Sequence, residues 1–326
     1  MKFGAFVPQG WRLDLVGIEQ AEHWPTMLEI ARTIESSGFE SLWVFDHFHT
    51  VPTPTQEVTY EAWTLMAALA ATTSTVRLGQ MCTCNSYRPP SYLAKVAASV
   101  DVISGGRLEM GIGAGWYEHE YVGYGYEFAK PSVRIGRLGE AVDIMQRMWT
   151  EDEVVFKGKH YSLDGAICQP KPVQKPHIPI WVAGGGEQLT LRVAATSATY
   201  TNFGTSVDEF RHKSEVLAAH CKAVRRDFDT ITRSSNFTIV CADTEAGAAE
   251  HVDAIRAHYG RYVEGATLER SMRMYGSMAG TPEQLIDMLR PWVEAGMAYA
   301  IVNFPDVATD RGGLELFARE VIPALS

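Results

Sequence analysis

The segment "RLEMGIGAGWYEHEYVGYGYEF" (Arg107–Phe128) passes from an apolar run through closely spaced glycines into a dense group of acidic and aromatic side chains. A short, continuously apolar run that ends in a turn is typical of a parallel strand covered on both faces. Glycines at the end of such a strand leave room for another group to approach the backbone. The segment therefore predicts a buried strand whose C-terminal end lies against a flat, partly apolar ligand.

Seven other runs share this character, and amphipathic helical patterns separate them, several of which end in glycine. Eight strands that alternate with helices predict an α/β protein with a (β/α)8 TIM barrel. A doubly wound sheet would carry G-x-G-x-x-G after the first strand, where the sequence reads "VPQGWRL" (Val7–Leu13). The predicted strands are Lys2–Pro8, Ser41–Asp46, Val76–Cys82, Arg107–Gly113, Ile178–Gly184, Ala198–Phe203, Asn236–Cys241 and Tyr299–Phe304.

Two segments interrupt the alternation and are predicted to be insertions in a single domain that covers residues 1–326. The first, at about 150–177, is polar and rich in proline, which predicts an extended excursion with a small hairpin. The second, at about 261–280, precedes the last strand–helix unit. We expect both insertions to lie outside the barrel wall.

Charge and composition exclude several classes of partner. The net charge of −10 argues against nucleic acid or an anionic membrane as the main partner, although it permits a local basic pocket. The sequence lacks an apolar run of about 18 residues, so no membrane span is predicted. Five cysteines without a secretory signal pattern favour a reducing environment, so we expect a cytoplasmic protein.

Polar and glycine-rich groups follow the predicted strands, where barrel enzymes place their functional residues. In "AGGGE" (Ala183–Glu187) the backbone N–H groups could bind a phosphate at the start of a helix. An ordinary tight turn explains the same glycines, and Glu187 disfavours an anion unless its carboxylate points away.

The segment "DHFH" (Asp46–His49) offers His47 as a general acid/base or hydrogen-bond donor, or as a structural histidine at the rim. A metal site would need Glu118 or His119 as a further ligand, and because the ligands lack a recognisable spacing, no metal is expected. Cys82 and Cys84 share one face of a strand and are predicted to line the pocket.

Three motifs carry a resemblance to a known family: "SLWVFDHF" (Ser41–Phe48), "GRLEMGIGAGWYEHEYVGYGYEF" (Gly106–Phe128) and "KPHIPIWVAGGGE" (Lys175–Glu187). Over nearly its whole length the chain resembles the luciferase-like monooxygenase superfamily, and most of all its probable F420-dependent oxidoreductase branch. The resemblance implies a barrel with insertions and a flavin-type ring in its mouth. Coenzyme F420 is the implied cofactor, and FMN is the alternative.

The resemblance also implies roles for individual residues. Asp46 and His47 match a pair beside the ring, where the histidine is the acid/base candidate. A non-proline cis peptide is expected at Met81–Cys82, where it would support the ring. The remaining implied cofactor-binding positions are Thr83, Cys84, Gly115, Trp116, His119, Ala183, Gly184, Gly185 and Gly186.

Two departures from the family pattern concern the substrate. Trp116 stands where some sugar-phosphate dehydrogenases of the family have a catalytic glutamate, so their substrate and mechanism do not carry over. The end of the sixth strand reads "SATYTNFG" (Ser197–Gly204), where relatives tend to have an aspartate-glycine-tryptophan sequence.

Three hypotheses of function follow. The first is a deazaflavin-dependent oxidoreductase that moves a hydride to or from a small organic substrate. The second is an FMN-dependent monooxygenase that uses reduced flavin and oxygen, with a flavin reductase as partner, and the third is a non-catalytic flavin-binding protein. A homodimer is the family-level expectation. The candidates for binding the anionic tail of a deazaflavin are Arg88, Lys130, Arg134 and Arg273.

Overall fold

The computed structural model describes residues 1–275 and 278–326, in which strands and helices alternate along the chain. The strands are β1 (Lys2–Phe6), β2 (Ser41–Val44), β3 (Arg77–Gln80), β4 (Thr83–Cys84), β5 (Leu108–Gly113), β6 (Val154–Lys157), β7 (Ser162–Ala166), β8 (Ile180–Ala183), β9 (Tyr200–Asn202), β10 (Thr232–Cys241), β11 (Met278–Gly280) and β12 (Tyr299–Asn303). The helices are α1 (Gln20–Ser36), α2 (Ala62–Thr72), α3 (Pro90–Ile103), α4 (Glu118–Gly123), α5 (Pro131–Thr150), α6 (Thr190–Ser197), α7 (Val207–Ala223), α8 (Glu245–Tyr259), α9 (Gly265–Tyr275), α10 (Pro282–Glu294), α11 (Gly312–Leu316) and α12 (Ile322–Leu325).

The chain divides into two compact units, of which the first comprises residues 1–61 and 235–326. Its strands follow the order β11-β10-β12-β1-β2. Strand β1 pairs in parallel with β12 on one side and with β2 on the other, so that Ala5 lies opposite Val302 and Leu42. All three side chains are fully buried, as expected for parallel strands covered on both faces.

The second unit, residues 62–234, contains the parallel order β3-β5-β8-β9, with β4 beside β5. Buried Glu109 of β5 joins three of these strands, because it forms an ion pair with Arg77 of β3 and accepts a hydrogen bond of 2.7 Å from Trp181 Nε1 of β8. A carboxylate buried in this way is stable only while its partners remain. These contacts fix the strands from which the glycine-rich loops emerge.

The eight predicted strands correspond to β1, β2, β3, β5, β8, β9, β10 and β12. The hairpin predicted in segment 150–177 is the antiparallel pair β6–β7. Segment 261–280 needs a correction: its last residues form β11, which pairs in parallel with β10 and is therefore not outside the sheet. Residues 276–277 of this segment lie outside the described part of the chain.

Candidate functional site

His47, just beyond the end of β2, stacks on Trp11 from the loop after β1. The ring centroids are 4.1 Å apart and the planes differ by 2°. Trp11 also packs against Phe45, at 4.3 Å, and the neighbouring Asp46 is buried. Because stacking fixes the plane of the imidazole, its nitrogens are presented at a defined edge, as an acid/base or hydrogen-bonding group requires.

Gln9 supports this arrangement, and sequence reasoning missed it. Its side-chain Nε2 donates to the carbonyl oxygens of Phe45 and Tyr60 at 2.8 and 2.9 Å, and its Oε1 accepts from the Phe45 N–H at 2.6 Å. The buried glutamine therefore holds the backbone directly before Asp46 and His47. A polar residue at the end of an apolar strand was its only signal in the sequence.

The turn after β1 is closed by Asp14, whose Oδ1 accepts the N–H of Gly10 at 2.6 Å. Gly10 has a φ of +93°, and a Cβ there would lie 2.0 Å from the carbonyl oxygen of Val58, so glycine is required. Burial raises the pKa of Asp14 to about 6, against the opposing effects of the Gly10 hydrogen bond and of Arg12.

Replacing Asp14 with asparagine is expected to change how stability depends on pH. Because its folded pKa is about 6 against an ordinary value of 3.8, ionising Asp14 costs stability as pH rises through this interval. Relative to the unmodified chain, Asp14→Asn should gain up to about 3 kcal/mol between about pH 4 and about pH 7. Urea unfolding at both pH values measures this gain, and a constant difference between the two proteins would contradict the assigned pKa.

In the second unit, the end of β3 leads into the non-proline cis peptide Met81–Cys82 that the resemblance implies. Buried Thr83 donates from Oγ1 to Oε1 of Gln80 at 2.6 Å. A Cβ on Gly113, at the end of β5, would lie 2.6 Å from Cys82 Sγ. The Cys82 side chain therefore lies directly against the glycine backbone of β5, and its role in lining a pocket stays a prediction.

Gly115 forms a close-packed cradle with Tyr121 and Cys84. Its φ is +80°, and a Cβ there would lie 1.9 Å from Tyr121 Oη and 2.7 Å from Cys84 Sγ. The Tyr121 hydroxyl lies 3.0 Å from Cys84 Sγ, and burial raises the pKa of Tyr121, so the hydroxyl keeps its proton. A side chain at position 115 would displace these groups.

Beneath this cradle lies Glu120, a second supporting residue that sequence reasoning missed. It is fully buried, and its Oε2 accepts a hydrogen bond of 2.7 Å from Tyr87 Oη. The pKa of Tyr87 is raised mainly by burial, with Cys84 and Glu120 adding to the effect. Tyr87 also packs on Tyr121 at 5.1 Å, so this network holds the aromatic wall behind Gly115.

Trp116 and His119, by contrast, are exposed. The indole of Trp116 is 61% exposed and stacks on Tyr117 at 5.1 Å, and Tyr117 lies 6.0 Å from His119. The three rings form a row at the surface beside Gly115. Their contact with a cofactor stays a prediction.

The loop from Ala183 to Gly186 begins at the last residue of β8 and precedes α6. Gly184 has a φ of +117°, and the side chain of Lys213 runs beside Gly185, 3.4 Å from the position of an added Cβ. Lys213 Nζ binds Glu187 Oε1 at 2.8 Å and lowers the pKa of that carboxyl. The negative charge of Glu187 is therefore paired, which removes the objection to an anion at this loop.

Replacing Gly185 with leucine is expected to weaken binding of a phosphate-bearing cofactor about tenfold to a hundredfold, since a charged group loses hydrogen bonds to the backbone. Stability should change by less than about 1 kcal/mol, because an added Cβ would make only ordinary contacts, at 3.4 Å from flexible Lys213 and 3.6 Å from Phe203. Gly185→Ala, whose Cβ makes only ordinary contacts, is the matched control. Unchanged binding by the leucine variant would identify the loop as a plain tight turn.

Of the four basic residues considered for an anionic tail, Arg134 needs correction. It is buried, its guanidinium donates to the carbonyl oxygen of Ala129, and it lies 4.1 Å from the ring centre of Phe128. Lys130 and Arg273 are exposed, as tail binding requires. Arg134 is therefore part of the packing at the start of α5.

The second unit also fits a flat polar ring by its hydrogen-bonding groups. Gln80 Nε2 and Asn85 Oδ1 are buried and have no hydrogen-bond partner among the residues that the structure describes. Gln80 ends β3 and Asn85 follows β4, and both of these strands pair with β5, which ends at Gly113. Buried donors and acceptors normally have partners, so a heteroaromatic ring edge beside the glycine backbone is a group that these residues suit.

The described ranges 1–275 and 278–326 contain no cluster of three histidine, cysteine or acidic side chains that could hold a metal ion. No helix in this part of the chain is long and apolar enough to cross a membrane.

Comparisons of sequence place this chain among known proteins. The profile of the family described as luciferase-like monooxygenase matches residues 1–299. An uncharacterized protein of Mycobacterium tuberculosis is 31% identical over 183 residues, which is 52% of this chain, and the match spans 64% of that protein's length. The F420-dependent glucose-6-phosphate dehydrogenase of Nocardia farcinica is 26% identical over 92% of this chain and 93% of its own.

Solved structures show the same fold. An F420-dependent secondary alcohol dehydrogenase, in complex with an F420–acetone adduct, matches with a TM-score of 0.81 at 22% identity, covering 100% of this chain and 99% of the other. The monooxygenase RslO1 of Streptomyces bottropensis matches with a TM-score of 0.81 at 19% identity over 100% of both chains. The predicted fold, a closed (β/α)8 barrel, is confirmed.

Proposed function

This chain belongs to the luciferase-like monooxygenase family, and from that membership we propose that it is an oxidoreductase that uses coenzyme F420 to move a hydride to or from a small organic substrate. The carrying observation is the close-packed glycine backbone at positions 113 and 115, together with the buried polar atoms of Gln80 and Asn85, which lie at the ends of β3 and β4 and have no hydrogen-bond partner among the described residues. Relatives aligned over 92% of the chain bear the name F420-dependent, which supports the choice of cofactor.

A bound deazaflavin supplies a two-electron carrier that reacts poorly with oxygen. The chain must then orient the substrate and donate or accept the proton that accompanies hydride transfer. We assign this proton transfer to His47. Its ring stacks on Trp11, and Gln9 holds the preceding backbone at Phe45. Asp46, which is buried and precedes His47 in the loop after β2, is assigned to cofactor binding.

In the second unit we assign the ring support to Met81, Cys82, Thr83 and Cys84, and, from the resemblance, a ring contact to Gly115, whose backbone is packed against Cys84 and Tyr121. The loop of Ala183, Gly184, Gly185 and Gly186 would hold the phosphate with its backbone N–H groups. The ion pair between Lys213 and Glu187 leaves no net negative charge that would oppose an anion at this loop. Trp116 and His119 would cover the cofactor from the exposed side.

The substrate differs from that of the sugar-phosphate dehydrogenases among the relatives. Trp116 stands where the resemblance places their catalytic glutamate, and an exposed indole cannot exchange a proton. A large apolar side chain instead favours contact with an apolar substrate surface. We therefore propose a small organic substrate that carries an alcohol or carbonyl group and no phosphate.

An FMN-dependent monooxygenase with a reductase partner is the second candidate. It is favoured by the likeness to a monooxygenase over the full length of both chains. FMN shares the ring system and the ribityl phosphate of the deazaflavin, so the glycine cradle and the phosphate loop would serve either cofactor.

The remaining expectations stand as proposals. We propose that residues 1–326 act as one domain with insertions at 150–177 and 261–280, because the family profile runs through both compact units. A cytoplasmic location agrees with five cysteines that form no disulfide bond in the described part of the chain. A homodimer is proposed from the family resemblance alone.

A turnover assay tests this function. The protein is incubated with reduced F420 and a panel of ketones, aldehydes and enones, with and without oxygen. We expect oxidation of F420 that depends on the carbonyl compound and proceeds equally in both atmospheres. Product formation that requires reduced FMN and oxygen would support the monooxygenase instead.

A further inference from the structure

The unit formed by residues 1–61 and 235–326 contains a cavity of about 540 Å³ that the proposed function does not use. Its walls come from the loop after β1, from α8 and from the loop after β12. Sites for small molecules typically measure about 300–1,000 Å³. The cavity is therefore large enough for a ligand of its own.

The floor of the cavity is apolar and belongs to the hydrophobic core. Leu13, Ile255 and Tyr259 are buried there in one cluster. Ala254 and Ala257, on the exposed side of α8, form its outer edge. A ligand would therefore bury an apolar body against the floor while it enters past two small side chains.

A histidine–carboxylate pair lies in the wall. His251 of α8 binds Asp306 through Nδ1, at 2.6 Å from Oδ2, and both residues line the cavity. This hydrogen bond raises the pKa of His251 and fixes the orientation of its ring. Since Nδ1 is committed to Asp306, Nε2 is the ring atom able to serve a ligand.

The two carboxylates of the lining, Asp14 and Asp306, are balanced in number by the guanidinium of Arg261 and by the imidazole of His251, whose raised pKa favours its protonated form. Asp306 is paired with His251, and Asp14 accepts the N–H of Gly10. The guanidinium of Arg261 lies on His258, whose Nε2 donates to the carbonyl oxygen of Leu13 at 3.0 Å. Because the lining has no net excess of either sign, a charged ligand would gain little electrostatic energy there to offset its desolvation.

We propose that this cavity binds an uncharged small molecule with an apolar body and one hydroxyl or carbonyl oxygen, which hydrogen-bonds to Nε2 of His251. The apolar floor, the oriented imidazole and the balanced charges each select this chemistry. The lining includes none of the residues assigned to the cofactor, so the proposal stands whether or not the proposed function holds.

Three probes of one shape test the selection by charge: cyclohexanol, cyclohexylammonium and cyclohexanecarboxylate, each titrated into the full chain without cofactor and followed by ligand-observed NMR. Cyclohexanol should bind at least about tenfold more tightly than either ion, and His251→Phe should weaken it about tenfold by removing one hydrogen bond. Equal binding of the three probes, or no binding of the alcohol, would overturn the proposal.

Location is tested by filling the cavity. Ala254→Phe should reduce cyclohexanol affinity at least about tenfold, whereas Ala249→Phe, an exposed position of the same helix outside the lining, should leave it unchanged. Ala257→Phe provides a second filling variant, and thermal unfolding confirms that each protein is folded. Unaltered binding by both filling variants would show that the alcohol binds elsewhere.

Discussion

Gly115→Ala is expected to abolish cofactor binding and to destabilise the protein more than the same replacement at Gly125. Both glycines have positive φ, +80° and +73°, so each alanine meets a similar backbone cost of about 1 kcal/mol. At Gly115 the new Cβ would also lie 1.9 Å from Tyr121 Oη, whereas at Gly125 it meets nothing within 4 Å. Because Tyr121 is fully buried, this collision should add about 1–3 kcal/mol.

Urea unfolding and cofactor titration of both variants measure these effects. Tyr121→Phe, which removes the hydroxyl, should restore part of the stability lost at Gly115 when the two changes are combined. Equal loss of stability in the two alanine variants, with cofactor binding retained at position 115, would show that the cradle does not form the cofactor surface.

His47→Phe is expected to lower turnover about a hundredfold to ten-thousandfold, the usual contribution of a general acid or base. Phenylalanine keeps an aromatic ring to stack on Trp11, which lies 4.1 Å from the imidazole, so cofactor affinity should change little. The loss therefore separates proton transfer from binding. Steady-state rates measure turnover, and fluorescence titration measures affinity.

His49→Phe is the matched control, because it makes the same change two residues further on, at another half-buried histidine. This variant should keep most of the activity. Similar losses in both variants would assign the histidines a structural role at the rim, which is the alternative that the sequence leaves open.

The strands could be predicted from the sequence because a strand buried on both faces is a continuous apolar run in the local sequence. Runs such as Leu108–Gly113 are apolar almost throughout and end in glycine, and they became fully buried strands. Strand β11 has no such run, because its three residues are too few to form a pattern. Its pairing with β10 depends on residues that are distant in the sequence. It was therefore assigned to an insertion outside the sheet.

The backbone of the candidate site was predictable where local chemistry decides, as at Gly184, whose φ is +117°. The supporting residues were not. Glu120 is buried because Tyr87, 33 positions away, donates to it, and Glu187 is neutralised by Lys213 from 26 positions away. Arg134 was taken for a tail-binding cation because its charge is local, while its burial on Phe128 is tertiary. Charge and residue type can be read from sequence, but partners across the fold cannot.

Equilibrium titration of the purified protein with coenzyme F420 and with FMN, at moderate salt, tests the central claim most directly. Absorbance and fluorescence report binding of each cofactor without any assumption about the substrate. The account predicts saturable F420 binding that is tighter than FMN binding and is lost in Gly115→Ala. Tight FMN binding with no measurable affinity for F420 would contradict it.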